Sequence, residues 1–169
     1  MDAERRSQLI ARYSAAVRAV AVAVDHVAES ELDARPDPKS WSARQVVHHL
    51  ADASMHQAIS LRRMLTENTP VLVPLDEVHY AERLHYDRPV EASLEAFRAN
   101  SAANIELLKS LTEEQWRRQG NQQKPWPLTV EGWLEDEVLY IHNRLMQIMN
   151  APTGGRVIAD PEGGLKLER

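Results

Sequence analysis

Seven histidines and no cysteine define the side-chain chemistry open to this chain. Without thiols there is no disulfide, iron–sulfur cluster, thiolate metal site or cysteine nucleophile. Imidazoles and carboxylates remain as the metal-ligating groups. His48, His49 and His56 crowd one segment. His26, His79 and His85 fall on a polar face or in a connection and read as solvated. Further along, Glu137, Tyr140 and Arg144 are spaced i, i+3 and i+7, which makes them one ridge of a helix. A lone histidine beside a tyrosine would suit general acid–base work near neutral pH. No Ser/His/Asp set or carboxylate pair is visible beside them.

Four amphipathic segments must position these groups. Ile10, Tyr13, Val17, Val20, Val24 and Val27 alternate spacings of three and four, which predicts a helix from about Ala3 to Glu29. SELDARPDPKSW breaks the chain. Ser42 and Gln45 form a capping-box pattern opening a second helix. Its buried face, Ala43, Val46, Leu50, Ala53, Leu61 and Leu65, runs to about Glu67. Prolines 70 and 74 interrupt the connection that follows, with a short helical segment expected around Val78–Tyr86. Asp87 before Arg88-Pro89 signals a third helix, carried by Val90, Leu94, Phe97, Ile105, Leu108 and Leu111. Thr112 and Gln115 box a short turn containing Trp116, and RRQGNQQKPWPL reads as a loop. Thr129 caps the last helix, with the stripe Leu134, Val138, Ile141, Leu145 and Ile148. The expected fold is an all-α four-helix bundle over residues 1–150, with a long connection between helices 2 and 3. The Gly/Pro-rich tail, 151–169, is expected to be irregular, with one short strand at Arg156–Ala159.

Helical geometry sorts the candidates. With Leu50 as zero and about 100° per residue, His49 falls at about −100°, on the flank of the core, and His48 at about 160°, facing away. His56 lies two turns from His49, roughly 10 Å along the axis, too far to share one ion. Asp52 and His56 read either as partners that orient a ligand or as a wet helix surface. On the last helix, with Leu134 as zero, Tyr140 falls near about −120° and Arg144 near about −80°. His142, near about +80°, is on the opposite flank, a packed or interface histidine. Trp116, Trp126, Trp133 and Met146 either close the ends of the core or contribute to a partner surface.

Net charge is −5, from 20 basic and 25 acidic residues, which gives no nucleic-acid footprint. No run approaches the ~18 apolar residues of a membrane span, and MDAERRSQLIARY lacks the apolar core of a signal peptide. With no cysteine, the expectation is a cytoplasmic protein.

The segment WSARQVVHHLAD, the TxExxL opening of the last helix (Thr129, Glu131, Leu134), YDRPVEASLEAFRAN and the closing HNRLMQI together resemble the DinB-like (YfiT-like) family of bacterial four-helix bundles, over about residues 5–150. The resemblance implies a divalent metal, nickel or zinc, held between helices by one histidine after the WS motif and a His-x-x-x-His pair on the last helix. It also implies metal-dependent hydrolysis or transfer of low-molecular-weight thiols. Carried over, the first ligand is His49, eight positions after Trp41. Aligning Leu145, Gln147 and Ile148 with the family's closing pattern puts Tyr140 and Arg144 at the other two ligand positions.

Arg144 is a permanent cation with donors only. It would repel even a single positive charge by about 4 kcal/mol at about 4 Å and an effective dielectric of about 20. The expectation is a degenerate site at which a metal is bound weakly or not at all. A half-buried guanidinium needs an anionic partner: Glu137, Asp52 or Asp136 within the chain, or a ligand's carboxylate or phosphate. Three functions follow: a pocket enzyme retaining His49, a non-catalytic binder of a small anionic molecule through Arg144, Tyr140 and His49, or a dimeric helical module with a vestigial pocket.

Overall fold

The computed structural model describes residues 2–122 and 125–150 in full, and the backbone of 156–159 and 165–168. Four long helices form the bundle: α1 (Ala3–Asp25), α2 (Ala43–Thr66), α4 (Glu91–Lys109) and α6 (Val130–Met149). Two short helices, α3 (Glu77–Arg83) and α5 (Glu113–Trp116), interrupt the connections. Helix α1 packs on α6 and α4, and α2 packs on those same two helices, so α1 and α2 face each other across the diagonal. The site-bearing helices α2 and α6 are therefore neighbours.

Local chemistry sets where the helices begin. Both halves of the Ser42–Gln45 capping box form, and the Thr129 side chain accepts the Gly132 N–H at 3.0 Å. These bonds satisfy backbone donors that would otherwise be orphaned at a helix start. Asp87 does not cap α4, which begins at Glu91 after Val90 with no side-chain cap. Pro89 disfavours helical backbone at Arg88 and delays the start by a turn. The first helix also stops earlier than its valine stripe, at Asp25, and a 3-10 turn follows at Glu29–Glu31. The core joins Val20, Val46, Leu61, Val130, Leu134 and Ile148, all without exposure. Trp133 and Trp116 are buried within it, whereas Trp126 and Met146 are exposed.

The 67–76 connection is pinned along the α2–α6 side. The Leu72 N–H donates to Asn121 O at 2.7 Å and the Asn121 N–H to Pro70 O at 2.8 Å. The Arg63 guanidinium donates to Val71 O at 2.9 Å and that of Arg118 to Met64 O at 2.7 Å. The segment expected to be a loop after α5 holds two short strands, β1 (Gln119–Gly120) and β2 (Leu128–Thr129), paired antiparallel. A Cβ on Gly120 would lie 2.8 Å from the Leu72 side chain, so this residue type permits the close approach. In the tail, β3 (Arg156–Ala159) pairs antiparallel with β4 (Leu165–Glu168). The tail expected to be irregular thus contains a hairpin, because the expected strand has a partner of alternating residues. Among the described residues no helix is long and apolar enough to cross a membrane.

Candidate functional site

The capped start of α2 fixes Trp41 at its mouth and His49 two turns inside. His49 is fully buried, with the Trp41 ring edge-on at 4.7 Å between centroids. From α6, the Tyr140 hydroxyl hydrogen-bonds to His49 Nε2. Glu77 Oε1 of α3 lies 3.5 Å from the same nitrogen. The other ring nitrogen, Nδ1, is buried with no hydrogen-bond partner. Burial, reinforced by the nearby Arg144 charge, pushes the imidazole down to about 4, so it is neutral at physiological pH. Burial likewise pushes the Tyr140 phenol well above its ordinary range, although Arg144 opposes this. Tyr140 therefore stays a phenol.

Arg144 closes the group. Its guanidinium donates to Glu77 Oε2 at 2.7 Å and to Gln147 at 3.0 Å, and lies over the rings of Trp41 and Tyr140 at 5.2 and 5.0 Å. The anionic partner is thus internal, but it is none of Glu137, Asp52 and Asp136. Glu77 takes the role because the crossover brings α3 against the α2–α6 seam, a placement with no signature in helical spacing.

The sequence-selected residues divide accordingly. His49, Tyr140 and Arg144 come together. Asp52 instead accepts the Tyr86 hydroxyl at 2.6 Å, and His56 hydrogen-bonds to Val73 O at 2.7 Å, two turns away. His48, expected to face away from the core, is fully buried, with its ring nitrogens at Ser93 Oγ (2.7 Å) and Arg88 O (2.9 Å). The chain around 86–93 covers that face of α2, so the helix is buried on more than its apolar stripe. His142 is exposed on the opposite flank of α6, and His26, His79 and His85 are exposed as expected. Glu137 lies below Tyr140, 5% exposed, and lines a cavity of about 300 Å³ between α2, α6 and the connection.

Does the donor set suit a divalent ion? His49 Nε2 and the Glu77 carboxylate are the groups available, and the described residues contain no cluster of three or more His, Asp or Glu able to hold a metal. A protonated phenol and a guanidinium fill the remaining directions. A fixed positive charge already neutralises Glu77, so an ion entering there meets one neutral imidazole and an ion pair that offers no net attraction. The residues present do not fit the ion.

A bundle with His49 facing the last helix behind a WS motif defines a class, and comparison with known proteins agrees. Residues 12–135 match the model of the DinB superfamily, and the chain belongs to that family. The match ends short of Tyr140 and Arg144. Relatives bearing the name "putative metal-dependent hydrolase" include one from Oceanobacillus iheyensis, 38% identical over 52% of this chain and 51% of its own length. Another, YfiT of Bacillus subtilis, is 36% identical over 57% of this chain and 54% of its own. The chain thus spans about half the length of these curated relatives. In structure it is similar to YfiT, a four-helix bundle of unusual topology, with TM-score 0.81 and 28% identity over 88% of this chain and 86% of that one.

Proposed function

We propose that this chain is a DinB-superfamily protein of the hydrolase and transferase type whose inter-helix ion site has been converted into an Arg144–Glu77 pair, and that it binds a small carboxylate or phosphate beside that pair. One observation carries the reading: Arg144 is at once ion-paired inward to Glu77 and a wall of an outward cleft of about 500 Å³. Lys39, Ser40, Trp41, Gln147 and Asn150 line the same cleft, together with the Glu77 carboxylate that Arg144 already holds. Two cations against one carboxylate, with several hydrogen-bonding groups and an aromatic wall, suit a small anion with a planar portion. Arg144 offers a fork of donors, so a second acceptor is accommodated without deprotonation. His49 and Tyr140 sit behind the pair and act by holding the guanidinium's surroundings in place rather than by touching the anion. That differs from a binding group made of all three residues.

Thermal-shift titrations with citrate and inorganic phosphate at low ionic strength test this. The melting temperature of the wild type rises with either anion, and the rise disappears in Arg144→Ala and weakens in Lys39→Ala. A wild type indifferent to both anions overturns the binding reading. One equivalent of nickel or zinc in untagged protein overturns the conversion of the ion site.

A further inference from the structure

The cavity of about 300 Å³ below Tyr140 has a character opposite to the Arg144 cleft. Among the described residues its charged lining groups are Glu137, Asp136 and Glu77, and no described lysine or arginine lines it. Glu77 is committed to Arg144, and His56 to the Val73 carbonyl. Glu137 is 5% exposed, lines the cavity, and forms no hydrogen bond or ion pair among the described residues. Leu72, Leu75, Leu128 and Trp133 supply apolar walls.

A buried carboxyl without a partner is costly, and it costs least when a ligand supplies the missing donor. The polar end of that ligand must donate hydrogen bonds and tolerate, or carry, positive charge, while its body must be apolar. We propose that this cavity binds a small organic cation, a protonated amine with a short apolar body, whose ammonium group is held by Glu137 with Asp136 at the mouth. Burial, with Asp136 adding to it, pushes the Glu137 carboxyl up to about 8. The acid is therefore largely neutral while the cavity lacks a cation, and an ammonium beside it favours the carboxylate. The inference does not rest on the anion cleft, which shares only the Glu77 carboxylate with this cavity.

Calorimetric titration of the full chain at neutral pH, with benzylammonium, benzyl alcohol and benzoate as probes of one shape and three charges, decides the matter. Benzylammonium binds, and the alcohol and the acid bind at least about tenfold more weakly, as expected when a charge-assisted hydrogen bond is lost. Glu137→Gln, which keeps the shape and removes the charge, loses benzylammonium by a similar factor, Asp136→Asn loses less, and Arg144→Ala retains it. Melting curves of each variant verify folding, and Asp136→Asn, at an exposed position, serves if Glu137→Gln does not fold. Equal binding of benzyl alcohol, or a wild type that binds neither benzylammonium nor the smaller butylammonium, overturns the proposal. Since Arg144→Ala abolishes the citrate response in one experiment and spares the amine in the other, the two readings fail independently.

Discussion

At position 144 the bundle carries a guanidinium held by Glu77 at 2.7 Å and laid over Trp41 and Tyr140. Its consequences are read best by reversal. The wild type purified without an affinity tag is expected to carry no stoichiometric nickel or zinc, whereas Tyr140→His/Arg144→His restores two imidazoles opposite His49 and is expected to take up one equivalent, measured by elemental analysis. Arg144→His alone, with the phenol kept, should bind more weakly. Glu137 makes a separate prediction at this scale. Its carboxyl sits near 8 in the folded chain, above the ordinary value of about 4.3. The folded state therefore holds a proton that the unfolded state releases, so the stabilisation is complete below about pH 4 and is lost as pH rises through about 8. Glu137→Gln should melt above the wild type at pH 9, by an amount on the order of 3–5 kcal/mol more than at pH 5. Parallel pH profiles for the two proteins would contradict this.

Helix α2 shows how elements convert residue chemistry into geometry. Ser42 and Gln45 close a reciprocal cap, and His49 follows two turns later at the seam with α6. Ser42→Ala should cost about 1 kcal/mol of stability in denaturant titrations, and with Trp41 less firmly held it should also weaken the citrate response. The caps at Ser42, Thr112 and Thr129 were legible because each needs only residues three apart, and all three form. The start of α4 was not, because Asp87 and Pro89 compete for one turn. His48 was misread for a different reason. Periodicity orients a helix toward one core, but α2 is covered on a second side by the chain at 86–93, and the His48 ring nitrogens bond there.

For the whole molecule, one core is shared by all four long helices, so stability should be lost together. Leu61→Ala at a fully buried position of α2 should cost about 2–5 kcal/mol. Helix loss by circular dichroism and fluorescence of buried Trp133 should then shift by the same amount. Separate transitions would show that α2 does not share that core. Apolar spacing, capping pairs and proline positions alone determined four amphipathic helices, because these are properties of neighbours within a turn or two of helix, and the placement of His49 opposite Tyr140 and Arg144 was carried over from the family resemblance. The tertiary structure alone decided that Arg144 meets Glu77 rather than Glu137, Asp52 or Asp136, that His48 is buried, and that Glu137 lines a cavity with no hydrogen-bond or ion-pair partner among the described residues. Those outcomes depend on where a long crossover lands, which is settled by packing between segments far apart in the chain and leaves no period in the sequence.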